Sequence, residues 1–249
     1  MRGPVVKLVY TYASGAYPAR GEGSSPFRPT RTMNLRWTRK FAYAVGLITT
    51  DGSLSKDGRH VDFTSKDLVQ VRTFRKIVKS RCKISIKKGG LGNTCFRMQL
   101  GNVKLYKLLL SIGLHSNKSK TIKEILVPDK YFIDFLRGHF DGDGYSYSYW
   151  DKVYPASFRL YLGFTSASKT HLEWIQRKLS KTLGLTGSIR ISSRVYVLSY
   201  AKKNSVLLAN KIYYRSNIIC LKRKKYKIER ALGIINRQAG MAKLVNAQS

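Results

Sequence analysis

The sequence predicts an α+β protein of two similar lobes about a pseudo-twofold axis, each running helix, two strands, helix, two strands, helix. Three observations carry that expectation. A strand ending in Phe-Thr-Ser and leading into an amphipathic helix occurs twice, as VDFTSKDLVQVRTFRKIV from residue 61 and LGFTSASKTHLEWIQRKL from residue 162. A basic hairpin follows each copy, CKISIKKGGLGNTCFRMQL in one half and GSIRISSRVYVLSY in the other. Each half also opens on an apolar segment that ends Asp-Gly, FAYAVGLITTDGS and YFIDFLRGHFDGDGY, so that Gly52 and Gly144 correspond at an offset of 144 − 52 = 92. A duplicated order of elements at this scale implies two copies of one structural unit.

The elements follow from residue spacing. Apolar residues at helical intervals predict helices over about 36–51, 67–80, 102–113, 128–142, 169–183, 203–213 and 222–235. Alternating residues between them predict strands. The first lobe is expected over 34–127 and the second over 128–239, with tails at 1–33 and 240–249 where sustained periodicity is lacking. With 249 residues, 43% of them hydrophobic, the chain can bury a sizeable core.

Charge narrows the function. Lys and Arg number 47 against 13 Asp and Glu, a formal net charge of +34. Such an excess repels itself unless a polyanion neutralises it, and nucleic acid is the commonest such partner. A membrane partner is disfavoured, because the apolar run FAYAVGLI is far too short to span a bilayer and Lys7 interrupts the apolar start. No signal peptide is read. Cys82, Cys95 and Cys220 form no C-x-x-C pair, and His60, His115, His139 and His171 lack H-E-x-x-H spacing, so neither a zinc ribbon nor a dedicated zinc site is expected.

Against this basic background, paired acids need a reason. Asp51 and Asp143 take the same place in the two halves. Gly46 and Thr50, like Gly138 and Gly142, lie four apart and put small residues on one helix face, where two backbones can approach closely. If these helices pair about the pseudo-twofold axis, their terminal acids meet. Two carboxylates brought together beside a phosphodiester repel unless divalent cations sit between them. Magnesium suits such a site, taking one or two carboxylates with water and phosphate oxygens, and metals there can promote phosphodiester hydrolysis. Asp-Gly after a helix is otherwise a cap and turn. DGDGY does not continue as a calcium loop, since Tyr145 and Lys152 stand where acids are required.

At these residues, AVGLITTDG over 44–52 and LRGHFDGDG over 136–144, the sequence resembles the single-chain, two-motif LAGLIDADG homing endonucleases, over about residues 35–235. The resemblance implies two αββαββα lobes with antiparallel saddle-shaped sheets, packed through the two motif helices, lying along the major groove of a long DNA site. It implies a monomer that makes a divalent-metal-dependent double-strand break, with Mg2+ or Mn2+ as cofactor, in the service of intron or mobile-element spread. Carried over by residue, it makes Asp51 and Asp143 the catalytic metal ligands, with Thr50 and Gly142 beside them at the metal. Asp141 matches a further motif acid whose counterpart in the first half is Thr49. Lys118 in SNKSK and Lys222 in CLKRKK are the candidates for the basic residues near the cleaved phosphate. Ser65 and Ser166 match polar positions that orient water or DNA.

Strand alternation supplies the DNA-facing candidates. Lys83, Ser85 and Lys87 oppose Ile84 and Ile86, which are expected to point inward, and Arg97 and Gln99 oppose Phe96, Met98 and Leu100. Arg159, Tyr161, Arg190 and Ser192 take the corresponding positions in the second half. A two-stranded ribbon fits a major groove, where Arg reads guanine and Gln reads adenine.

The alternative function is an RNA maturase assisting intron splicing on the same scaffold, and retention of both acids favours the nuclease. An intracellular setting, prokaryotic or organellar, is expected. The tails carry a separate signal. GEGSSPFRPT over 21–30 reads as translated tRNA-gene T-arm, and GMAKLVNAQS resembles the translated opening of another tRNA gene, which would place the start of translation at Met33.

Overall fold

The computed structural model describes residues 36–88 and 94–248, with side chains described as far as residue 239. The expected tail at 1–33 lies outside them. The first lobe comprises helix α1 (Arg39–Asp51), strands β1 (Gly52–Leu54) and β2 (His60–Ser65), helix α2 (Leu68–Ile77), strands β3 (Ile84–Lys88) and β4 (Thr94–Gly101), and helix α3 (Val103–Ser111). The second repeats the order: α4 (Phe132–Asp143), β5 (Gly144–Trp150), β6 (Phe158–Ser166), α5 (Lys169–Leu183), β7 (Ser188–Ser192), β8 (Val195–Ala201) and α6 (Lys202–Ile212), followed by α7 (Lys222–Gln248). Every expected helix is present. The last extends past residue 235 through the segment expected as a tail.

Local chemistry sets the helix starts. Thr38 accepts a hydrogen bond from the Phe41 amide at 3.1 Å, Asn102 from Leu105 at 2.9 Å and Ser168 from His171 at 3.4 Å, each satisfying a donor that the first helical turn leaves orphaned. Asp67 does the same for Val69.

Each lobe has one four-stranded antiparallel sheet, ordered β1-β2-β4-β3 and β5-β6-β8-β7. Period-two alternation sends Val61, Phe63, Leu160, Leu162 and Phe164 into the core. The cores lie between the sheets and helices α1–α3 or α4–α6. The opposite sheet face is open. Ile84 packs against the core as expected, but Ile86 is exposed, as is Ile191 at the matching place on β7. These outer strands run past the helices that cover the rest of the sheet.

The lobes meet through α1 and α4. From Phe41 to Thr49 every residue of α1 is buried, and α4 is buried from Phe132 to Asp141 except Ile133. Gly46 and Gly138 make the approach possible. A Cβ on Gly46 would stand 2.6 Å from the His139 amide nitrogen, and one on Gly138 would strike the Tyr43 carbonyl. The face of small residues expected from the spacing is therefore the lobe interface.

Candidate active centre at the paired helix ends

Asp51 and Asp143 are the last residues of α1 and α4. Helix pairing carries these ends together: a Cβ on Gly142 would lie 3.1 Å from Asp51 Oδ2. The following glycines are not left-handed caps. Gly52 and Gly144 leave in extended conformation (φ −95°, ψ 157° and φ −77°, ψ 153°), each donating its amide to the helix, to Ile48 and Phe140. Close approach accounts for them, since a Cβ would come within 2.7 Å of Ile48 and 2.6 Å of the Phe140 Cα.

The electrostatics are those of a pair that two nearby lysines compensate only in part. Burial, and then the charge of Asp143, raise the Asp51 carboxyl to about 7 against the pull of Lys224 and Lys118. Asp143 is exposed by area, yet its surroundings are dense enough that poor hydration raises its carboxyl as well. Among the described residues neither carboxylate accepts a hydrogen bond from a protein donor. Desolvated carboxylates with free lone pairs beside each other fit a hard divalent ion better than a structural role.

Two lysines flank the acids. Lys118 sits on a short 3-10 turn (Lys118–Lys120), 5% exposed, and donates to the Gly52 carbonyl. Lys224, in the first turn of α7, donates to the carbonyls of Phe140, Gly142 and Gly144 at 2.7, 2.9 and 2.6 Å. Burial lowers both to about 8. One lysine therefore closes the end of each motif helix. Lys222 is not the second of them; it is exposed on the first residue of α7, and Lys224 stands at the site instead. Helical spacing could have found it, because Leu221, Lys225 and Ile228 are the buried side of α7 and Lys224 lies next to that stripe.

The other expected residues divide. Thr50 donates its hydroxyl back to the Leu47 carbonyl at 3.0 Å, and the Gly142 carbonyl is occupied by Lys224. A cavity of about 230 Å³ beside Asp143 is lined by Thr50, Ser119, His139, Thr165, Ser166 and His171 among others. Ser65 instead donates to Gln70 at 2.6 Å. Asp141 is buried and takes three donors, the Tyr43 and Tyr213 hydroxyls at 2.8 and 3.2 Å and the Leu221 amide at 2.6 Å. It ties α1, α4 and the approach to α7 together, whereas Thr49 bonds only its own helix.

His139 and His171, which lack metal-ligand spacing in the sequence, meet in the core. Their Nε2 atoms lie 3.0 Å apart and the His171 Nδ1 donates to the Lys123 carbonyl at 2.6 Å. Burial depresses both, His171 to about 4. They form a neutral core pair.

On the open faces, Ser85, Lys87 and Gln99 are exposed in the first lobe and Arg190 and Ser192 in the second, with Lys83 exposed just before β3. Pairing of Ser85 with Arg97 and of Asp62 with Gln99 puts these side chains on one face, as alternation requires. Two arginines have acid partners that composition hid: Arg97 Nε donates to Asp62 at 2.8 Å and Arg159 Nε to Asp151 at 2.9 Å. Tyr161 stacks on Tyr149, centroids 6.2 Å apart, with Tyr147 completing a cluster that alternation along GYSYSYW could have flagged.

Comparison with solved structures places this architecture. Full-length DUF199/WhiA from Thermatoga maritima superposes with a TM-score of 0.52 at 15% identity, covering 86% of this chain and 70% of that one. The homing endonuclease I-WcaI, bound to its DNA recognition sequence, gives 0.52 at 18% identity, covering 77% and 88%. A structure of mesophilic variants of the homing endonuclease I-DmoI gives 0.51 at 20%, covering 77% and 97%. The fold is the two-lobed LAGLIDADG fold. At these identities the likeness concerns architecture alone. No protein-family model and no curated protein sequence matches the chain. Among the described residues no helix is long and apolar enough to cross a membrane.

Proposed function

We propose that this LAGLIDADG-fold chain is a site-specific DNA endonuclease that works as a single chain inside the cell and makes a divalent-metal-dependent double-strand break, serving the spread of an intron or mobile element. The observation that carries the proposal is the pair Asp51 and Asp143, held at abutting helix ends with no hydrogen-bond donor among the described residues, and with a desolvated lysine at each end. A fold that only bound nucleic acid would use the charge of +34 but would gain nothing from destabilised carboxylates. For that reason the maturase alternative is the weaker one.

Asp51 and Asp143 would hold Mg2+ or Mn2+; I-DmoI has been crystallised with DNA and calcium. The ion supplies Lewis acidity toward the phosphate and lowers the pKa of bound water. The protein's part is positional. The glycine interface fixes the distance between the acids, and Lys118 and Lys224 place positive charge where the cleaved phosphates accumulate negative charge. The open sheet faces orient the duplex, with Lys83, Ser85, Lys87 and Gln99 in one half-site and Arg190, Ser192 and Tyr161 in the other. Ser166, which lines the cavity beside Asp143, would orient water.

Incubation with a randomised DNA library and Mg2+, followed by sequencing of cut ends, tests the proposal. Recovery of one long, nearly nonpalindromic site cut on both strands, and none when Mg2+ is chelated, is expected. Cutting indifferent to metal, or none at any metal concentration, would remove it.

A further inference from the structure

We infer that Arg137 is a positioning residue for Lys224, and so sets cleavage of one DNA strand and not the other; the inference rests on the endonuclease reading above. Arg137 lies on α4 within the motif, 2% exposed, and is one of the largest wholly buried side chains. Nothing in the active centre touches it. Its guanidinium reaches away from the acids: Nε donates to the Ile219 carbonyl at 2.8 Å, and a terminal nitrogen donates to Asp134 Oδ1 at 2.8 Å. The group lies over the rings of Tyr43 and Tyr214, 5.3 and 5.6 Å from their centroids, and the Tyr214 hydroxyl donates to the same Asp134 oxygen at 2.9 Å.

The partners outside the motif helices begin at Ile212, the last residue of α6, whose carbonyl accepts from the other terminal nitrogen of Arg137 at 3.5 Å, and continue through the segment of residues 213–221, which joins α6 to α7. Arg137 holds it at Ile219 and Asp134 at Tyr214. Asp141, one turn further along α4, holds it at Tyr213 and at Leu221. Three residues beyond Leu221 comes Lys224. The segment that delivers the lysine is therefore hung by buried charge from the same helix that ends in Asp143. A buried ion pair is a poor source of stability but a strict source of geometry, because each donor and acceptor fixes a direction.

The first lobe lacks this device. The 92-residue offset maps Asp134, Arg137 and Asp141 onto Ala42, Val45 and Thr49, none of them charged. There the segment that delivers Lys118 packs through Leu114, Ile122 and Ile125, and its carbonyls at Ile122 and Lys123 are taken by Ser168 and His171 of the second lobe. Losing Arg137 should therefore displace Lys224 and leave Lys118 in place.

The test uses the full chain and a supercoiled plasmid carrying the site recovered from the library. Arg137→Met, and the double variant Asp134→Leu/Arg137→Met, which leaves no buried charge unpaired, are compared with Lys224→Met by mapping the cut on each strand. Expected is accumulation of nicked circles, with the same strand slowed in all three variants, on the order of 100-fold for a displaced catalytic group, and the other strand cut at the unaltered rate. Equal slowing of both strands in the double variant, or unchanged cutting by it, would overturn the positioning role while leaving the endonuclease reading intact. Failure of the unaltered chain to cut any DNA would overturn both.

Discussion

The two lobes share one order of elements, yet they use their scarce acids differently. In the first, Asp62 holds Arg97 on the open face and the motif helix behind it carries no acid but its terminal Asp51. In the second, Asp151 likewise holds Arg159, but Asp134 and Asp141 are in addition buried inside the motif helix, and a tyrosine cluster stands on β5 and β6. What the copies share is Asp at the helix end, Gly after it and Lys against it. The shared residues are those the proposed chemistry needs twice, and the proposal would assign the differences to two unlike halves of a DNA site.

The comparison can be broken at the interface first. Gly138→Val should disrupt the pairing of α1 with α4, since even one carbon there strikes the Tyr43 backbone and overpacking alone costs about 1–3 kcal/mol or more. Thermal unfolding should show a drop larger than for any variant on the open faces, and a Tm near the unaltered value would contradict the glycine account.

Next in size is the separation of Lys224 from Lys222. Removing one group that stabilises transition-state charge costs about 3–4 kcal/mol. Lys224→Met should therefore slow cleavage about 100-fold or more, and Lys222→Met should leave the rate within about twofold. Single-turnover rates decide it, and equal effects would return Lys222 to the site.

The sequence made the duplicated order, the helix ends and the interface legible, because each depends on periodicity or on small residues at fixed spacing. Lys118 was legible within a short turn. Lys224 was harder to pick out, because four basic residues run together from Lys222 to Lys225 and only their helical phase relative to Leu221 and Ile228 distinguishes them. Pairing of Arg97 with Asp62 and of Arg159 with Asp151 was also hidden, one crossing between strands and the other spanning a hairpin. Ile86 looked inward by alternation, but alternation says nothing about where the covering helices stop.

These ion pairs refine the account of base recognition. Arg190 is exposed and has no acid partner among the described residues, whereas Arg97 is held by Asp62. Arg190→Ala should relax one base position by about 1–3 kcal/mol. Asp62→Ala should free Arg97 and change preference in the other half-site. A uniform loss at every position would mark both arginines as phosphate contacts. Affinity should meanwhile fall by orders of magnitude between low and physiological salt.

The smallest effect concerns the strain between the acids. The folded chain keeps the Asp51 proton up to about pH 7, while an unfolded chain releases it near pH ~4. Stability is therefore lost as pH rises through that window. Asp51→Asn should unfold later than the unaltered chain at pH 7.5, by roughly 1–3 kcal/mol once partial hydration is allowed for, and no later at pH 4. Identical curves at both pH values would show that the acids are not in conflict.

The claim at the centre is that each lobe contributes one acid to a shared centre, which strand-resolved cleavage by Asp51→Asn and Asp143→Asn tests most directly. Each variant should fold, bind the recovered DNA site as tightly as the unaltered chain and make no double-strand break in Mg2+. Undiminished double-strand cleavage by both variants would contradict it.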